Sequence, residues 1–559
     1  MKSKVLVFGL VFSSLTVFGQ DNELDAQEVN VIEQYVPTVP PARKINDIPQ
    51  IVDTVKVEKT VHYSTLPKQY QTSYQIDTIK PAKIKGEPIP KLYQTYLRLG
   101  LGNTALPSFE GYYNSLRNKQ WNYGFELGYH NSTAKAKGYD AGFQSNKVAA
   151  YGKGIFDFGV VNTNISRAGN VYSAHGSQSG LVEAKTHQYW AYSQLNLSLE
   201  SKHNSKDRLR HFTQLHFSDL NEMTENNFRF SSALKKRFGA FDYSVAFKSD
   251  YYTNNTAKDV SFAADTVKEG VYTLSPRFKG DFYGVKISAG FDEVVNNRMT
   301  DTVGLNFHFY PQLRADYDIV PELFKVYGGL RSGLRKNSYW SLSKENPFVL
   351  NALRYDGGAV ELKNTSTSLD VYAGLNTYFN SDIRLGAEFS FAKKKDMAFF
   401  YLNASSVWAN KFDVVYHDGT YLKLNTNISW QPSDKKGVDL VLNYHYYALI
   451  DDIVGVPAAL YKPSFQAELN AFYNLGDKII GHLDLYGAFG RRYTYPYPAW
   501  PVDKAFMKNI IDVDLMIEYR YNKVLSGYLK GSNLVGGYEM WQNYPVISPQ
   551  IQLGFSYQL

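Results

Sequence analysis

From Leu92 to the final residue the chain alternates apolar and polar side chains with a period of two, a pattern that only strands with two chemically different faces maintain. Trp121, Tyr123, Phe125, Leu127 and Tyr129 alternate with Asn122, Gly124, Glu126, Gly128 and His130. Val303, Leu305, Phe307 and Phe309 alternate with Gly304, Asn306, His308 and Tyr310. A water-soluble sandwich alternates too, but it hides its greasy face in a thin core and does not line that face so repeatedly with rings. Here 15% of the residues are aromatic, including 45 Tyr and 34 Phe. A barrel in lipid inverts the soluble arrangement, apolar outside and polar inside, which is the pattern seen here. The expected fold class is therefore all-β, a transmembrane antiparallel β-barrel.

Connection lengths bear on the same point, because such barrels have short turns at one end and long loops at the other. Tight connections are expected at Arg117 to Lys119, Asp157-Phe158, Ser201 to Asp207, Phe238-Gly239, Gly280-Asp281, Val320 to Glu322, Asn380-Ser381, Pro432 to Lys436, Gly476-Asp477 and Asn522-Lys523. Mostly longer connections separate them, among them Lys336 to Thr365, Arg491 to Lys508 and Leu534 to Pro549. Ten turns imply eleven hairpins, hence about 22 strands with both barrel ends in the periplasm. The stretch Phe399 to Val415 reads equally as a long strand extension or as another hairpin.

The N-terminus sets the compartment. Lys2 and Lys4 precede an apolar run from Val5 to Val17 and a small-residue cleavage context, so residues 1–19 read as a secretory signal peptide. Residues 20–91 hold eight of the 21 prolines and few aromatics, and read as an extended periplasmic segment, a partial plug or docking tail. Residues 92–559 form the barrel. A mean hydropathy of −0.35 with 20% charged residues excludes a bundle of membrane-spanning helices. The absence of Cys excludes disulfides, thiolate metal sites and thiol chemistry, and a net charge of +7 is too small for this length to suggest nucleic acid.

The last strand, Ile551 to Leu559, is apolar at every odd position, and its polar, glycine, aromatic and terminal apolar positions fall at Gln552, Gly554, Tyr557 and Leu559. It looks like the C-terminal β-signal through which outer-membrane barrels engage the barrel-assembly machinery, a contact made by strand addition. Upstream, Leu529-Lys530-Gly531-Ser532-Asn533-Leu534, Tyr538-Glu539 and Tyr544-Pro545 resemble the closing strands of TonB-dependent receptors. The resemblance implies a 22-strand outer-membrane barrel. It departs at the N-terminus, where the roughly 70 residues ahead of Leu92 are too few for the globular plug of that family. Glu28, Val29, Asn30, Val31 and Ile32 are similar to a TonB box, a strand that augments a partner's sheet, so TonB is an expected partner on that resemblance.

Chemistry is not expected in the lumen. Cations at inward positions, such as Arg331, Arg335 and Lys423, interleave with acids such as Asp370, Glu388 and Asp484, which reads as a hydrated, salt-bridged wall. His482 and Asp484 share a face, yet no Ser is tied to them, and no phosphate loop, metal-ligand spacing or calcium loop occurs. No catalytic, cofactor or metal residue is assigned and no enzyme activity is expected. The distinctive surface candidate is the loop containing Arg491, Arg492, Tyr493, Tyr495, Tyr497 and Trp500, with Trp541 and Tyr544 beside it. Its proline-held rings suit either a contact for a protein, peptide or sugar partner, or an aromatic rim at the membrane interface. The expected role is a subunit or scaffold of a larger outer-membrane complex, with lipid and protein partners. The alternative is a TonB-linked uptake channel or receptor for a nutrient such as a glycan, peptide or metal chelate.

Overall fold

The computed structural model describes residues 92–559 apart from 104, 134, 137–138, 174–186, 204, 221–224, 256–265, 299–304, 350–353, 356–357, 360–361, 403–410, 451–458 and 495–503. The expected signal peptide, the proline-rich segment with Glu28 to Ile32, and Tyr495, Tyr497 and Trp500 lie outside the described residues. A single antiparallel sheet of 22 strands is formed, each strand pairing with the next in the chain. The first strand, Thr95–Gly102, also pairs with the last, Gln550–Gln558, from Tyr96 opposite Gln558 to Gly102 opposite Gln552. The sheet therefore closes on itself and leaves no strand edge for lipid to desolvate. Among the described residues no helix is long and apolar enough to cross a membrane.

The two faces are those the alternation demands. Trp121, Tyr123, Phe125 and Tyr129 are exposed on the outer face, as are Leu305, Phe307 and Phe309, and on the last strand Ile551, Leu553, Phe555 and Tyr557. Gln552 and Ser556, between the latter, are buried. A continuous belt of exposed large apolar side chains is stable only against hydrocarbon, which makes the chain a transmembrane barrel.

Nine of the ten expected short turns fall where the sequence places them. The exception is Gly280-Asp281, where the strand runs on to Phe282 and the chain reverses at Tyr283-Gly284. Both turn residues have positive φ, 54° and 85°, the geometry that lets a two-residue hairpin follow the sheet's twist, and glycine takes the second position without strain. Asp281 fastens the turn by accepting the Gly284 amide at 2.9 Å. At Phe399 to Val415 the strand-extension reading holds: Ile383–Leu402 and Phe412–Ser433 stay paired up to Leu402 opposite Phe412.

The closing seam is locked by one row of side chains. Tyr528, Gly554, Gly100 and Ser108 lie opposite one another on four consecutive strands. The Tyr528 ring lies across the two glycines, and a Cβ on Gly554 would come within 2.2 Å of the Leu99 carbonyl oxygen and 2.4 Å of the ring. Tyr528 Oη donates to the Leu99 carbonyl at 3.3 Å, Gln552 Nε2 donates to Ser108 Oγ at 2.6 Å, and the Arg98 guanidinium covers the ring at 4.3 Å. Gln552 and Gly554 are thus seam residues, while Tyr557 and Leu559 face outward.

Candidate functional site: the bridged mouth and the wall beneath it

At the long-loop end the period of two gives way to a core. The loop after the strand Phe324–Arg335 carries the helix Tyr339–Glu345. Ser338 caps it: its side chain accepts the Ser341 amide, and the Ser341 side chain accepts the Ser338 amide in return. Glu225, from the strand Glu225–Phe238, supplies a carboxylate that accepts the Tyr339 and Trp340 amides at 2.7 and 3.2 Å. These bonds satisfy first-turn donors that would otherwise be unpaired, and they place a negative charge at the positive end of the helix. Trp340 then stacks on Tyr192 at 3.9 Å with the rings within 3° of parallel.

Beyond the helix the chain crosses the opening. Trp190 Nε1 donates to the Pro347 carbonyl at 2.8 Å, Phe348 stacks on Tyr544 at 3.7 Å, and the Phe412 amide donates to the Phe348 carbonyl at 3.0 Å. Trp190 belongs to the sixth barrel strand and Phe412 opens the sixteenth, so the two lie on nearly opposite walls of the ring. Phe412 packs edge-on against Tyr461 and Trp541, and Phe400 packs edge-on against Trp541. Tyr461 Oη donates to Gln542 at 2.7 Å, and Lys462 is ion-paired with Glu345. One hydrophobic cluster joins Trp190, Leu220, Phe348, Phe400, Phe412 and Trp541 across the mouth.

This geometry corrects the expected contact loop. Arg491, Trp541 and Tyr544 are 3%, 4% and 3% exposed, which takes them out of reach of a partner. The Arg491 guanidinium donates to the carbonyls of Met540, Lys508 and Glu539 at 2.8 to 2.9 Å, and burial lowers its pKa to about 10. Arg491 is a strut between two loops. Tyr493 is half-buried against the cluster and Arg492 is exposed, with its guanidinium over Phe506 at 5.1 Å. The residues that sequence reasoning missed are Trp190, Phe348, Phe412 and Tyr461. A signal was present in Ala398-Phe399-Phe400-Tyr401-Leu402, a run that breaks the alternation because both faces are covered there; Phe399 and Phe400 are each 1% exposed.

Beneath the mouth the inward side chains form an ion-paired wall. Arg277 pairs with Asp292 at 2.6 Å, Arg229 with Asp250 at 2.5 Å, and Arg331 with both Asp370 at 2.7 Å and Glu388 at 2.9 Å. One sector is richer in cations: Arg331, Arg335, Lys394 and Lys423 gather around Asp370 and Glu388. Tyrosine rings floor it, with Arg331 over Tyr372 at 4.4 Å and Lys394 over Tyr421 at 4.6 Å. Among the described residues no group of three or more His, Cys, Asp or Glu is placed to hold a metal. His482 faces Phe472 and Met516 on its neighbouring strands.

The fold and this site define an outer-membrane-type β-barrel whose mouth is bridged by its own loops. No family model and no curated protein matches the chain. Solved structures do match. The FrpB iron transporter from Neisseria meningitidis aligns with a TM-score of 0.62 and 8% identity, over 84% of this chain and 82% of that one. The ferric-catecholate import receptor Fiu from K12 E. coli, in a closed form, gives 0.60 and 11%, over 84% and 82%. The copper transporter OprC gives 0.58 and 11%, over 84% and 82%. The chain has the barrel fold of TonB-dependent receptors, as its closing strands suggest.

Proposed function

We propose that the chain is a non-enzymatic integral barrel of the bacterial outer membrane that acts as a subunit or scaffold of a larger assembly, its short turns and both barrel ends on the periplasmic side. The observation that carries this reading is the bridged mouth. Among the described residues, loops at that end pack against one another around Phe412 and Trp541, and a packed loop core of this kind suits a fixed surface that a partner can dock on. On this reading Arg492, together with Tyr495, Tyr497 and Trp500 of the same loop, meets a surface partner, and Glu28 to Ile32 is the docking strand for a periplasmic one. The test is affinity purification of the intact protein in mild detergent with mass spectrometry of what stays bound. Stoichiometric outer-membrane partners support the reading, and a lone barrel overturns it.

A second reading, TonB-linked uptake, is favoured by the cation-rich sector of Arg331, Arg335, Lys394 and Lys423, which would attract an anionic cargo such as a metal chelate. On this reading the mouth opens to admit the cargo, and TonB engages Glu28 to Ile32. Deletion of those five residues then abolishes uptake, whereas in the scaffold reading it alters only the recovery of partners.

A further inference from the structure

The outer wall carries one feature that the lipid-facing belt does not require. Near the short-turn end, between the strands Phe412–Ser433 and Ile510–Arg520, a groove of about 440 Å³ indents the apolar face. Its floor is made by Ala471 and Gly481, on two neighbouring strands, where the side chains that fill the surface elsewhere are missing. Trp430, Val438, Tyr473 and Leu515 stand as its walls. Trp430, Tyr473 and Leu515 are exposed, so nothing in the barrel covers the groove.

The end of the groove nearest the turns differs from its floor. Lys436 is the first residue of its strand, lies opposite Tyr473, and holds its ammonium group over the Trp430 ring at 5.7 Å. Among the described residues no carboxylate lies within ion-pair distance of that ammonium, whereas its neighbour Lys435 is paired with Asp477 at 3.2 Å. Tyr519 and Tyr521 are exposed on the adjoining strand end, so Trp430, Tyr473 and these two rings make a girdle at the level where a bilayer changes from hydrocarbon to headgroup. An apolar slot that opens onto a cation at the headgroup level has the polarity of a phospholipid: acyl chain, then phosphate.

We propose that this groove is a binding site for one anionic glycerophospholipid of the leaflet on the short-turn side, an acyl chain lying over Ala471 and Gly481 and the phosphate held by Lys436. A chain seated there gains dispersion contacts from three sides instead of one, and the ammonium adds an attraction that a zwitterionic headgroup largely cancels.

The experiment uses the full chain, purified in detergent, stripped of lipid and titrated in native mass spectrometry with phosphatidylglycerol or with phosphatidylcholine of the same acyl chains. The wild type is expected to retain one phosphatidylglycerol in preference to phosphatidylcholine. Lys436→Gln removes that preference, weakening phosphatidylglycerol by about fivefold and leaving phosphatidylcholine unchanged. Gly481→Leu fills the slot and weakens both by about tenfold. An added Cβ at Gly481 meets nothing within 4 Å, so this variant has room to fold, and heat-modifiable gel mobility checks that both variants do. Equal retention of the two lipids by the wild type, or unchanged retention by the folded variants, overturns the proposal. So does a Gly481→Cys chain that crosslinks to a second copy or another protein in native membranes, since the groove then belongs to a protein contact.

Discussion

The two ends of this barrel are built by different rules. At the short-turn end each residue answers to its own strand: a two-residue reversal such as Tyr283-Gly284, an outward ring, an inward polar group, a local ion pair. At the mouth, residues far apart in the chain answer to one another, as when Trp190 donates to Pro347 and Phe348 stacks on Tyr544. The first construction needs only nearest-neighbour pairing and can be extended strand by strand. The second exists only once the ring has closed and brought opposite walls within reach. A barrel of this size therefore gets its walls from periodicity and its closure from packing.

The most forceful way to break this comparison is to remove the centre of the mouth. Phe412 is fully buried and touches Tyr461, Trp541 and Tyr544. Phe412→Ala is expected to cost the loop assembly about 3–5 kcal/mol, the range for deleting a large aromatic from a packed core. Phe307→Ala, at a ring 67% exposed on the outer wall, leaves it intact. Hydrogen exchange over 336–349 reads the difference, and planar-bilayer conductance should rise for the first variant alone. Equal protection in both variants would mean that the mouth core does not hold the loops.

The contrast also explains what was legible. Strand number and nine of the ten short turns follow from alternation and turn chemistry, which are local in sequence. The lumenal charges were legible too, because the side-chain direction of Arg331 or Asp370 is fixed by the pleat. Arg491, Trp541 and Tyr544 were misjudged for one shared reason: a ring or guanidinium in a proline-rich loop looks the same in sequence whether it meets solvent or another loop. Only the break in alternation at Phe399-Phe400 marks where the wall thickens into a core. The Tyr283-Gly284 turn was displaced because Gly280 and Gly284 are both adequate turn residues, and pairing of Phe282 with Val285 decides between them.

Smaller changes sharpen the comparison. Glu225→Gln keeps the shape but removes the carboxylate that accepts the Tyr339 and Trp340 amides, an expected loss of roughly 1.5–3 kcal/mol from the helix. Faster exchange at those two amides, with the barrel's gel mobility unchanged, is the expected outcome, and unchanged exchange would show that Ser338 alone caps the helix. At the seam, Gly554→Ala drives a Cβ against the Leu99 carbonyl and the Tyr528 ring, at an overpacking cost of about 1–3 kcal/mol. The folded fraction after refolding into detergent should fall, and Tyr528→Ala introduced alongside should recover part of it by vacating the ring's space. Failure of that rescue would place the clash on the backbone alone.

The smallest effect belongs to the short-turn rim. Lys202 and Asp157 form an ion pair at 3.2 Å across neighbouring turns, with both side chains open to water. Solvent screens such a pair, and ordering a long lysine side chain offsets what attraction remains. Lys202→Ala should leave urea-unfolding midpoints, folded yield and mouth protection indistinguishable from the wild type at physiological salt. A measurable loss, and above all one that reached the exchange rates at 336–349, would show that the two ends are energetically coupled through the strands, and the separation between a locally built wall and a collectively built mouth would not stand.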